Sequence, residues 1–193
     1  MSRPLCMDVC PAWFAWAINN PLRRWIHRPN EILGQLVAPG FTVVELGCGS
    51  GPFTIALAQM VGPAGRVIAA DVQAAMLNKV QKRVAKAGLQ NRVELHPCEL
   101  KHIGLSVHVD FVLAFWMVHE VPNAKALFAE LHEALNPDAK VLLVEPKLHV
   151  GRREFEKEVE AALGAGFELL ARPSVRLSRA ALFVKPLLES VVS

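Results

Sequence analysis

The 193-residue sequence has no tyrosine, four cysteines and a formal net charge of only +3, from 21 Lys and Arg against 18 Asp and Glu. Each scarcity excludes something. Four cysteines with no close CxxC pairing are not a disulfide scaffold. A charge of +3 is too small to mark a nucleic-acid footprint. No apolar run reaches the roughly 18 residues that a membrane-crossing helix needs. The first residues offer no uninterrupted apolar stretch of a secretory leader, because Asp8 and Pro11 break it. These absences predict a cytoplasmic location. The missing tyrosine stands beside 4 Trp and 9 Phe and by itself excludes nothing.

Apolar residues make up 52% of the chain and charged residues 20%, so it can bury a core and is not a disordered polyampholyte. The 12 Gly and 13 Pro follow no period. The length suits one domain, expected over residues 31–193, preceded by an arm over residues 1–30. The arm holds Trp13, Trp16 and Trp25, together with Arg23, Arg24 and Arg28, and is punctuated by prolines. It reads as a strap packed on the domain, a lid over a substrate, or an interfacial anchor; the shortness of the basic cluster argues against the last.

Beyond the arm, short apolar runs alternate with helical patterns. Strands are expected at Thr42–Leu46, Arg66–Ala70, Arg92–Leu95, Asp110–Phe115, Lys140–Val144, Phe167–Ala171 and Ala181–Lys185. Helices are expected at Glu31–Val37, Phe53–Met60, Ala74–Ala87, Asn123–Leu135 and Arg152–Leu163. The charged face of the last reads as solvated, with i,i+4 pairs. Strand–helix alternation specifies a parallel sheet covered on both faces. The last two strands leave no room for a crossover helix, so one of them runs antiparallel. The fold class is therefore α/β, a Rossmann-like three-layer sandwich.

The strongest local signal is Glu45-Leu46-Gly47-Cys48-Gly49-Ser50-Gly51, between the first strand and the next helix. Alternate glycines let the backbone turn sharply and approach a ligand closely. Asp71 ends the second strand, 71 − 51 = 20 residues after the last glycine, where a carboxylate can accept from ribose hydroxyls. Capping the following helix is its competing role. A dinucleotide fingerprint fails, because its third glycine would fall on Pro52. A P-loop fails for want of Gly-Lys-Ser/Thr. Glu45 would repel a pyrophosphate but suits an ammonium group.

This glycine loop with Asp71 resembles the class I S-adenosylmethionine-dependent methyltransferases, and most of all their small-molecule branch related to quinone-biosynthesis C-methyltransferases. The resemblance covers residues 30–185. It implies a seven-stranded, mostly parallel sheet with an antiparallel last strand. It also implies S-adenosylmethionine as cofactor and S-adenosylhomocysteine as product. Glu45, Gly47, Cys48, Gly49 and Gly51 would then hold the methionine end, and Asp71 the ribose. Val72 and Met76 would flank the nucleoside, with Phe115 beside it. Cys98-Glu99-Leu100 stands where the family places an acid and a small residue near the adenine, so Glu99 is the candidate there with a departure in its neighbours.

Ligands of open α/β sheets lie outside the carboxyl ends of the strands. His119 and Glu120 follow the fourth strand, and Glu145 and His149 the fifth. His119 is the candidate base, with Glu120 orienting it or touching substrate, since imidazole exchanges protons near neutral pH. Its bland competitor is a backbone or helix-capping contact. A metal or arsenite site built from Cys6, Cys10, Cys48 and Cys98 lacks paired spacing, so no metal is expected.

The acceptor is expected to be a small molecule, because one compact domain leaves little surface for a macromolecule. Phe115-Trp116-Met117-Val118 also lacks the Asn/Asp-Pro-Pro-aromatic motif of enzymes that methylate nucleic-acid amino groups. Nucleic-acid or protein methylation and a non-catalytic cofactor-binding partner subunit are the alternatives.

Overall fold

The computed structural model describes residues 27–187. The arm tryptophans, Arg23, Arg24, Cys6 and Cys10 lie outside the described residues. Helix α1 spans Pro29–Leu33, shorter than the expected Glu31–Val37. Strand β1 (Thr42–Leu46) leads into α2 (Thr54–Met60), β2 (Arg66–Asp71), α3 (Ala74–Lys86) and β3 (Val93–Pro97). Then follow β4 (Val109–Phe115), α4 (Ala124–Ala134), β5 (Leu135–Pro146), α5 (Arg152–Gly164), β6 (Glu168–Ala171) and β7 (Ser178–Val184).

The sheet order is β3-β2-β1-β4-β5-β7-β6. Strand β1 pairs in parallel with β2 and β4, and β4 with β5. Strand β7 runs antiparallel to both β5 and β6, so β6 points the same way as the first five. The hairpin read from the Pro173–Ser178 loop thus inserts its second strand between β5 and β6. The reversal of order between β1 and β4 opens the crevice in which such sheets bind ligands.

The central strand runs, in β1, β2, β4 and β5, are apolar on both faces because both are covered. One face buries Leu33, Leu57, Leu77, Val80, Phe111 and Leu142 under α1, α2 and α3. The other buries Phe128, Leu131, Phe155, Val159, Leu143 and Phe183 under α4 and α5. Helix α4 starts at Asn123, whose Oδ1 accepts from the Ala126 N–H (3.1 Å). At its far end Lys185 Nζ donates to the carbonyls of His132 and Leu135 (2.8 Å each), satisfying groups the helix leaves open.

Three expectations shift. Strand β5 begins at Leu135 rather than Lys140, because Leu135 pairs with Val109 across a bulge and Asp138 takes φ 62°. Strand β7 begins at Ser178, since pairing with Pro146 extends it. Helix α5 is not a row of i,i+4 ion pairs. Glu158 is buried on its inner face with Phe155, Val159 and Ala162. Glu154 accepts from the Gly151 N–H (2.8 Å), and Glu156 meets Arg172 at 2.7 Å.

Candidate functional site

Chemistry gathers at the carboxyl ends of β1, β2, β4 and β5. Gly47, Gly49 and Gly51 all have positive φ (61°, 52° and 79°). At Gly47 the need is also steric: a Cβ there would stand 2.9 Å from the Met117 Cβ. At Gly49 it would meet nothing nearer than the Gly47 carbonyl at 4.0 Å, so that surface is open. The loop is pinned from the side. The Gly49 N–H donates to Asp71 Oδ2 and the Gln73 N–H to Asp71 Oδ1, each at 2.8 Å. Asp71 therefore ties the glycine loop to the turn after β2. Each carboxylate oxygen has a second lone pair left for a ligand hydroxyl. Burial raises the Asp71 carboxyl above its usual range against these two hydrogen bonds.

Glu45 is 3% exposed and accepts from the Thr54 hydroxyl. Cys48 fills the loop with a buried thiol, pushed well above the ordinary range by burial and by Glu45 and Asp71. Met76 is half-buried at the edge of the α3 face, and Val72 is exposed beside Asp71. Phe115 is buried, 4.6 Å from Phe53 and 5.0 Å from His27 between ring centroids. Glu99 is exposed on a tight turn, its backbone exchanging hydrogen bonds with His102 (3.0 and 3.2 Å). The adjacent Cys98 N–H donates to the Asp71 carbonyl.

The second cluster lies where β4 and β5 end side by side. Trp116 takes φ 60°, a backbone conformation costly for a bulky residue. It is held by its N–H on the Val144 carbonyl (2.7 Å) and its indole N–H on Ser178 Oγ (3.0 Å). The reversal aims the next residues back over the sheet. Glu145, fully buried, then accepts from the Val118 N–H (2.8 Å) and the His119 N–H (3.2 Å) on Oε1. His119 Nδ1 lies 2.6 Å from its Oε2.

The orienting carboxylate is thus Glu145. Glu120 stands 3.9 Å from Nε2 on the exposed side, because the 3-10 turn Val118–Glu120 rotates it toward solvent. His119 Nε2 is buried without a hydrogen-bond partner, and the His149 ring packs edge-on at 4.8 Å. Burial disfavours the imidazolium, but the hydrogen bond and charge of Glu145, with Glu120 adding, outweigh it and raise the His119 pKa. A ring held at Nδ1 by a carboxylate presents Nε2 as its proton acceptor.

Sequence reasoning missed Thr54, Ser178 and His27, none of which carries a motif. His27 Nε2 lies 2.9 Å from the Arg176 carbonyl and its ring meets Trp116 edge-on. Among the described residues no three His, Cys, Asp or Glu converge on a metal-sized point.

Residues 43–138, spanning the glycine loop, Asp71 and the β4 exit, match the family described as Methyltransferase domain. The chain carries a class I methyltransferase domain. Its sequence is 34% identical over 110 residues to the demethylmenaquinone methyltransferase of Lactobacillus johnsonii, covering 56% of this chain and 45% of that protein. It is 33% identical over 108 residues to the arsenite methyltransferase of Halobacterium salinarum, covering 55% and 27%. The aligned region spans less than half the length of these two relatives. A SAM-dependent methyltransferase from Aquifex aeolicus superposes with TM-score 0.80 at 24% identity, over 92% of this chain and 100% of that one. The cofactor of the methyltransferase domain is S-adenosylmethionine. The donor set fits it: an open glycine surface, a buried acid for an ammonium group and a second acid with lone pairs for a diol.

Proposed function

We propose that this chain transfers a methyl group from S-adenosylmethionine to a small-molecule acceptor that loses a proton in the reaction. The single observation that carries the reading is the Asp71 carboxylate clamping the glycine loop through Gly49 at 2.8 Å. A turn without a ligand would not need two buried acids, Glu45 and Asp71, at the mouth of an open glycine surface.

The cofactor supplies an electrophilic sulfonium methyl group, so the protein's work is positioning, water exclusion and proton removal. In this reading Gly47–Gly51 admit the methionyl end, with Glu45 facing its ammonium group. Asp71 accepts from the ribose hydroxyls, and Val72 and Met76 flank the nucleoside. Glu99 takes an exposed place at the adenine end. Phe115, buried against Phe53, forms the apolar wall toward the acceptor.

His119 accepts the acceptor's proton at Nε2. Glu145 holds the ring by Nδ1 and stabilises the imidazolium that forms. Glu120, near the same nitrogen on the solvent side, passes the proton outward. The His119 pKa is raised, so the neutral base is populated only above its ordinary range, and transfer rises with pH through that value.

A small acceptor is supported by the two named relatives, which act on a quinone precursor and on arsenite by their names. The test is calorimetry with S-adenosylmethionine and S-adenosylhomocysteine, then release of the latter with candidate acceptors. Binding heat with product release is expected. Heat without release across the acceptors leaves a cofactor-binding subunit, and no heat removes the reading.

A further inference from the structure

Leu148 is 95% exposed, the most open of the large apolar side chains described, and Leu177 is 49% exposed. They belong to different loops, one after β5 and one between β6 and β7. The Lys147 N–H donates to the Leu177 carbonyl at 3.0 Å, so the loops stand side by side. Arg179 fastens the first from beneath, donating to the carbonyl of Val150 at 2.9 Å. Leu177 has φ 58°, where glycine or asparagine would sit at lower cost. A leucine there, against its backbone preference and with about half its surface in water, points to a partner for that side chain.

The surroundings define the partner. Segments 147–153 and 172–179 contain six cations and no carboxylate. Arg172 is occupied by Glu156 and Arg179 by backbone carbonyls. The side chains of Lys147, Arg152, Arg153 and Arg176 are exposed and form no ion pair among the described residues. Two exposed leucines whose own segments carry four such cations match an interface with an apolar interior and anionic headgroups. A nucleic acid would use the cations and leave the leucines in water. No described helix is long and apolar enough to cross a bilayer, so the contact would be peripheral.

We propose that these two loops dock on an anionic lipid surface. His149, next to Leu148, packs on His119, so docking sets the proposed acceptor site against the bilayer. The use of this orientation, loading an apolar acceptor from the lipid, rests on the function proposed above; the docking itself does not.

The test is cosedimentation of the full chain with phosphatidylcholine vesicles and with vesicles also containing phosphatidylglycerol. Binding is expected only to the latter and should weaken as salt screens the cations. Leu148→Asp with Leu177→Asp should lower partitioning roughly tenfold or more, because insertion of both side chains is lost. The heat of S-adenosylmethionine binding should stay at the parent value and the unfolding midpoint should move little, since Leu148 is almost wholly and Leu177 about half in water. Arg152→Glu with Arg153→Glu should weaken binding as well. Equal partitioning of parent and double-aspartate variant overturns the proposal, assigning any binding to the arm or to charge alone. Equal binding to both vesicle types also overturns it. Failure here with intact cofactor heat leaves the transferase reading standing.

Discussion

Replacing Glu145 by glutamine or alanine separates the parts this carboxylate plays. Oε1 receives two backbone N–H groups, from Val118 and His119, and Oε2 receives His119 Nδ1. In Glu145→Gln the amide oxygen takes the Oε1 place, where both donors converge. The amide nitrogen then faces Nδ1, which becomes an acceptor, and the ring proton moves to Nε2. Only the charge-assisted bond to the ring is lost, about 1.5–3 kcal/mol. In Glu145→Ala three donors lose their acceptor in a fully buried place, and the cost rises to about 3–5 kcal/mol.

The loss depends on pH. The folded His119 pKa is raised, so its stabilisation is fully present below the ordinary 6.5 and fades as pH rises through the folded value. The gap between parent and Glu145→Gln should be widest below pH 6.5 and narrow above the folded pKa. Turnover on a productive acceptor should fall about 10²–10⁴-fold, since Nε2 no longer accepts a proton. The assays are urea unfolding across pH and imidazole titration by NMR. In the glutamine variant burial opposes the charge with only Glu120 left against it, so the His119 pKa should drop. A glutamine variant within about 0.5 kcal/mol of the parent, with an unchanged His119 titration, would refute this reasoning.

The two loop glycines should respond differently. Gly47→Ala brings a Cβ to 2.9 Å of Met117 at φ 61° and should cost about 2–4 kcal/mol by thermal unfolding. Gly49→Ala meets no clash and should cost about 1 kcal/mol, with most of its effect on S-adenosylmethionine affinity. Asp71→Asn keeps an acceptor for one of the two N–H groups and should weaken cofactor binding about 10–100-fold by calorimetry. Glu158 has a buried oxygen without a partner, and burial, then Glu145 and Glu154, push its carboxyl up to about 8. The folded state therefore holds a proton that the unfolded state releases from pH 4.5 upward, and stability drains as pH rises to 8. Glu158→Gln should be about 2–4 kcal/mol more stable than the parent at pH 9 and near parity at pH 4. Parallel stability curves would contradict it.

Much of this arrangement was legible along the chain. The TVVEL and RVIAA runs, the glycines after β1 and the acid closing β2 lie within a few residues of the structure they specify, so period and turn chemistry suffice to find them. Element ends were less legible. Leu135 joined a strand because Val109 is there to pair with it, and Glu158 became buried because α5 turns that face inward. Local pattern determined the strand–helix alternation, the antiparallel hairpin and the glycine turn after β1.

Tertiary structure alone decided which acid serves His119. Glu120 is adjacent in sequence, but Glu145 arrives because β4 and β5 pair in parallel, with Phe115 opposite Val144, so their exits emerge together. The same pairing logic set Lys147 against Leu177, and so brought their two loops side by side, when β7 laid Ser178 against Pro146. A motif records what neighbouring residues do to the backbone. Contacts between residues 26 or 30 positions apart are created by sheet register, which no single segment contains.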